Sequence, residues 1–143
     1  MSIVREPLLV LEGISKHYSR GKSIVRAVEE VSFSVDSGEV LAIVGESGSG
    51  KSTIARTITR LVPPTGGRAW WYPSGGRSAL DLFELSERKL RAIRRDLGIV
   101  FQDPFASLNP RLTAGEAIGE VLLVHERALS PSQRTARVRS LLS

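Results

Sequence analysis

Gly45-Glu46-Ser47-Gly48-Ser49-Gly50-Lys51-Ser52-Thr53 fills the pattern G-x-x-x-x-G-K-[ST] at every fixed position. The flanks decide what the match means. The run Val40-Leu41-Ala42-Ile43-Val44 before it is apolar and rich in β-branched residues, which reads as a buried strand. After it, Ile54, Ile58 and Leu61 fall at i, i+4 and i+7, one apolar face of a helix. Strand, glycine-rich loop and helix in that order are the context a phosphate-binding loop requires. The competing reading is a Gly/Ser-rich surface turn that happens to end in Lys-Ser, and both flanks argue against it.

The spacing has a mechanical reason. Gly45, Gly48 and Gly50 let the backbone curl through dihedrals that a Cβ penalises. The curl turns successive N–H groups inward as a nest for phosphate oxygens, with Glu46, Ser47 and Ser49 supplying further amides. The following helix aims the positive end of its dipole at the same anion. Lys51 is expected to reach the β- and γ-phosphates and Ser52 to ligate Mg²⁺, while Thr53 adds an N–H and a hydroxyl.

Bulk composition bounds the rest. A chain of 143 residues suits one domain with a real core, and 41% hydrophobic content fits a soluble globular protein. No apolar run approaches the roughly 20 residues of a membrane span. The segment Met1-Ser2-Ile3-Val4-Arg5-Glu6-Pro7 holds no apolar signal-peptide core. The absence of cysteine excludes disulfides and thiolate metal sites and agrees with a reducing cytosol. A net charge of +5 invites a nucleic-acid reading. However, much of the excess lies in Arg88, Lys89, Arg91, Arg94 and Arg95, a short helix best read as a solvated face. No interleaved aromatics of the base-stacking kind accompany it, so no nucleic-acid partner is expected.

Along the chain, Leu8 to Ile14 reads as a strand closing near Tyr18, and Ile24 to Val35 as a second. In the latter, Val31, Phe33 and Val35 alternate with Ser32 and Ser34. Val62-Pro63-Pro64-Thr65-Gly66-Gly67 stops the loop helix. Residues 68–72 read as a short strand, Pro73-Ser74-Gly75-Gly76 as a loop, and Leu80-Asp81-Leu82 as an edge strand. Ser86 is positioned to cap a helix to about Arg95. Residues 97–101 read as another buried strand, after which Pro104 and Pro110 bar its continuation. Thr113 is placed to cap a helix over 115–125, and a last helix begins near Ser130-Pro131. His17 and His125 stand alone and read as structural or exposed. Trp70 and Trp71 read as packing residues.

These features together resemble the ATP-binding subunits of ABC transporters over nearly the whole chain. The loop wording GESGSGKST, two strands ahead of the loop strand, and Ile99-Val100-Phe101-Gln102 about fifty residues beyond Lys51 carry the likeness. More narrowly, Phe101-Gln102-Asp103-Pro104-Phe105-Ala106-Ser107-Leu108-Asn109-Pro110-Arg111 resembles ATPases of dipeptide and oligopeptide importers, a group with nickel and glutathione relatives. The wording from Ala106 to Arg111 resembles the second, F-like ATPase type.

The resemblance implies an α/β P-loop NTPase fold of the ABC nucleotide-binding type. It comprises an N-terminal antiparallel β part, an incomplete RecA-like core and the start of a helical subdomain. Residues 1–102 would hold the β part and loop core, and 103–143 the helical start. It implies ATP and Mg²⁺ as ligands, with Tyr18 stacking on adenine. It also implies that Gln102 contacts Mg²⁺ and the attacking water and couples nucleotide state to the membrane subunits. A glutamine carbonyl ligates a hard cation without charge that would repel the γ-phosphate. The implied partners are transmembrane permease subunits and a second ATPase subunit, identical or different. The implied location is peripheral, on the cytoplasmic face of the inner membrane.

Three motifs of that family do not occur here: an LSGGQ-like signature, a strand ending in Asp-Glu, and a switch histidine. Asp103 is a poor substitute for the strand acid, because a polar residue precedes it and Pro104 follows. The chain is therefore read as a truncated cassette in which Lys51, Ser52 and Gln102 form one side of a site. Hydrolysis by the chain alone is expected to be absent or very weak. Residues 40–44 are expected to show unpaired edges and an uncovered apolar face, with marginal stability as the consequence. A vestigial, non-hydrolysing nucleotide-binding fragment is the alternative. An unrelated P-loop kinase or GTPase fits less well, since the guanine-reading N-K-x-D is absent.

Overall fold

The computed structural model describes residues 6–73, 78–103 and 108–143. The readings made for Met1 to Arg5, for Ser74-Gly75-Gly76 and for Pro104 to Ser107 lie outside the described residues. The chain divides into two compact units, residues 1–98 and 99–143.

The first unit is built on a long hairpin, β1 (Pro7–Arg20) and β2 (Ser23–Asp36), turned at Gly21-Lys22. β3 (Gly66–Trp71) pairs with the other edge of β1, and the short β4 (Leu80–Asp81) pairs with β3. All pairings are antiparallel, in the order β2-β1-β3-β4. The alternation read in β2 holds: Val31, Phe33 and Val35 are half-buried while Ser32 and Ser34 are exposed. β1 does not alternate simply. Leu11 faces Phe33 and Ile14 faces Val31, so β1 spends three residues where β2 spends two. The extra residue is a bulge at Gly13, whose φ of 56° places it in the left-handed region. Its amide donates to the Ser32 hydroxyl at 2.8 Å. The bulge resets the pleat, so Leu11 and Ile14 both point into the core although three apart.

That core gathers Leu11, Ile14, Val28, Ile54, Ala69, Trp71 and Leu82. Ile54 comes from α1 (Lys51–Ile58), and it seats the loop helix on the sheet. The Thr57 hydroxyl, fully buried, is satisfied by donating to the Thr53 carbonyl at 2.7 Å. Arg60 turns the chain out of α1 at a φ of 55°. Its guanidinium donates to the carbonyls of Leu82 and Phe83 at 2.8 and 2.6 Å, tying the exit of α1 to the end of β4. α2 (Glu87–Ile93) has Ser86 at its N-cap position, but the Ser86 side chain makes no cap hydrogen bond, and the helix ends two residues before Arg95, with Leu90 buried.

Two expected strands are absent. Residues 40–44 and 97–101 lie outside the sheet. Extended backbone becomes a strand only where a neighbour supplies ladder hydrogen bonds, and among the described residues none pairs with either segment. Val40 and Val44 are 95% and 88% exposed, so the apolar face expected to be uncovered is so. Leu61, assigned to the helix face, lies beyond α1 and is exposed.

The second unit contains α3 (Ala114–His125) and α4 (Pro131–Leu142), which pack on each other. Both open with a full capping box, Thr113 with Glu116 and Ser130 with Gln133.

Candidate nucleotide-binding site

Residues 45–50 carry the chain from the exposed segment 40–44 into α1. The Ser49 amide donates to the Glu46 carbonyl at 3.2 Å, making a tight turn over Ser47 and Gly48. Gly48 and Gly50 have φ of 82° and 93°, conformations that L side chains rarely adopt. Gly50 is also the N-cap of α1. A Cβ there would collide with the Ala27 carbonyl oxygen of β2, so only glycine lets the loop lie against the hairpin.

The start of α1 differs from those of α3 and α4. It has no side-chain cap, a lack it shares with α2, and like α4 it has no acidic residue in its first turn. The first intrahelical bond runs from the Ile54 amide to the Gly50 carbonyl at 2.9 Å, so the amides of Lys51, Ser52 and Thr53 precede the ladder. Those amides and the helix dipole give a positive end suited to an anion. Lys51 adds a full charge. Its ammonium donates to the carbonyls of Gly45 at 2.8 Å and Glu46 at 2.6 Å, and to the Ser49 hydroxyl at 3.2 Å. The cation therefore bridges the first and last parts of the loop it follows. Ser52 and the loop residues Gly45, Glu46, Ser47, Gly48 and Ser49 are exposed, while Gly50, Lys51 and Thr53 are half-buried. A hydroxyl at position 52 on an exposed first turn fits Mg²⁺, a cation usually held by one or two protein oxygens with phosphates and water. Among the described residues no cluster of three His, Asp or Glu could hold a metal by itself.

Tyr18 sits near the hairpin end of β1, opposite Val25, and is 39% exposed. Its strand is fastened on both sides. The His17 amide donates to the Thr65 hydroxyl at 3.0 Å, and that hydroxyl donates to the Ser15 carbonyl at 2.9 Å. On the other side His17 Nε2 meets Glu29 at 2.8 Å. The Lys16 ammonium lies over the Tyr18 ring, 4.8 Å from its centroid. Periodicity alone does not single out Lys16, because a lysine inside a strand reads as a solvent-facing residue. Gln102 belongs to the second unit, where it is exposed and outside regular structure. A separate apolar groove of about 500 Å³, lined by Leu8, Leu9, Val35, Trp71, Pro73, Asp96 and Leu97, includes no loop residue.

The chain is similar to known proteins over most of its length. Residues 28–143 match the ABC transporter family. A probable peptide ABC transporter ATP-binding protein of Sinorhizobium fredii is 45% identical over 96% of this chain and 39% of its own length. The oligopeptide transport ATP-binding protein OppF of Bacillus subtilis is 39% identical over 96% of this chain and 43% of its own. The di/tripeptide transport ATP-binding protein DppF of Pseudomonas aeruginosa is 38% identical over 96% and 42%. The chain thus spans about two fifths of the length of the curated relatives it matches. Among solved structures, a dimeric post-hydrolysis state of an ATP-binding cassette bound to ADP and Pi is 33% identical. It matches with a TM-score of 0.73, over 92% of this chain and 54% of that one.

Proposed function

The chain belongs to the ABC transporter family, and from that premise we propose that it forms the nucleotide-holding part of an importer's ATP-binding subunit, serving dipeptides, oligopeptides or related solutes. Its fold is the N-terminal part of an ATP-binding cassette domain. The observation that carries the proposal is the Lys51 ammonium held across the loop at the uncapped start of α1. In this reading the loop amides receive the phosphates, and Lys51 exchanges part of its carbonyl contacts for β- and γ-phosphate oxygens. Tyr18 offers its ring to adenine. Ser52 would supply its hydroxyl to Mg²⁺, which would neutralise phosphate charge; for Gln102, in the second unit, the same role rests on the family likeness of Ile99-Val100-Phe101-Gln102 alone.

The solute class rests on the relatives, whose names are those of peptide transporters. The remaining parts of the proposal follow from the same likeness. A second cassette subunit completes the site, permease subunits receive the motion, and the assembly works peripherally at the inner face of the cell membrane. Residues 1–143 would provide the cradle and one side of the metal site, and because no LSGGQ-like signature or strand ending in Asp-Glu occurs among them, hydrolysis by them alone is expected to be very weak.

Uptake of labelled di-, tri- and oligopeptides by cells carrying Lys51→Ala in the chromosomal copy tests the proposal. Peptide uptake falls while uptake of free amino acids is unchanged. Undiminished peptide uptake would overturn the solute assignment.

A further inference from the structure

Lys16 is 7% exposed, an unusual place for a lysine. It faces the buried Val28 across the hairpin, so its alkyl stem is carried inward while its ammonium emerges at the Tyr18 ring. No carboxylate or carbonyl pairs with that ammonium among the described residues; the nearby Glu29 is engaged by His17 and Arg26 instead. The ring is thus the cation's only partner there. A cation over an aromatic face is held by the ring quadrupole, and holding it fixes the ring as much as it fixes the cation.

We infer that Lys16 is a positioning residue for nucleotide binding, which braces one face of Tyr18 so that the exposed remainder of the ring is preset for a purine base. This deepens the reading of Tyr18 above and rests on it. A free tyrosine at a strand end must give up rotamer freedom when a base stacks on it, whereas a braced one has already done so. Lys16 acts here through the ring and not on the phosphates.

The test is titration of the full chain with MgATP and, separately, with magnesium tripolyphosphate, which has the phosphates and no base. Lys16→Met weakens MgATP by about threefold to tenfold, the range of a partly desolvated cation–ring contact. It leaves tripolyphosphate unchanged, and Lys16→Arg restores MgATP binding. In a Tyr18→Ala background Lys16→Met has no further effect. Should Lys16→Met fail to fold, Lys16→Gln against Lys16→Arg makes the same comparison. Equal weakening of both ligands, an undiminished effect without Tyr18, or no effect on MgATP would each overturn the inference. Failure of the underlying reading looks different: Tyr18→Ala itself would then leave MgATP affinity unchanged.

Discussion

The carbonyl oxygen of Ala27 occupies the space that a side chain at Gly50 would need. This contact joins the phosphate loop to the antiparallel hairpin, and it makes glycine at that position a requirement of packing as well as of backbone conformation. Gly50→Ala therefore meets two penalties. The left-handed dihedral alone costs about 1–2 kcal/mol, and the backbone clash must displace either the loop or β2. Denaturant unfolding should show a loss at least that large, with MgATP affinity falling in parallel. Unchanged stability would mean that the loop does not rest on Ala27.

Arg60 fastens the same element at its other end. Its guanidinium satisfies the Leu82 and Phe83 carbonyls with its side chain only 16% exposed, while its ion pair with the exposed Glu87 adds little. Arg60→Ala should cost about 1.5–3 kcal/mol, the range for hydrogen bonds to a charged group. Glu87→Ala should cost far less. Thermal or denaturant melts of the two variants separate the contributions.

The helical unit carries a pH dependence with a definite sign. The Thr113 amide and hydroxyl both donate to the Glu116 carboxylate at 2.8 Å, and these bonds hold its pKa below the ordinary carboxylate value. A depressed folded pKa contributes stability above the unfolded value and loses it as pH falls through the folded one. Helicity of residues 114–125 should weaken on acidification through that window, and Glu116→Gln should remove the dependence. Carboxyl chemical shifts of Glu116 across the acid range measure it.

Much of this molecule is legible from its residues, for local reasons. The pattern from Gly45 to Thr53, the Thr113 and Ser130 caps and the alternation from Val31 to Val35 are each fixed within one turn or one strand pair. What escapes is set by partners distant in sequence. Nothing at Gly13 announces a bulge, because the bulge exists only relative to Ser32 and Val31 across the ladder. Residues 40–44 have the composition of a strand, but a strand also needs a neighbour, and composition does not supply one. Lys16 reads as a surface cation until its register opposite Val28 shows where its stem lies. The turn within Gly45 to Gly50 and the helix start at Lys51 are thus readable locally. The brace behind Tyr18 and the seat beneath Gly50 are not.

The central claim is that the loop and Lys51 hold a nucleoside triphosphate, and calorimetric titration of MgATP into the chain and its Lys51→Ala variant tests it most directly. The account predicts saturable binding at one site per chain, weakened by about tenfold to a hundredfold when the charge-assisted contacts of Lys51 are removed. Equal affinity in the two proteins, or no saturable binding to the unaltered chain, would contradict it.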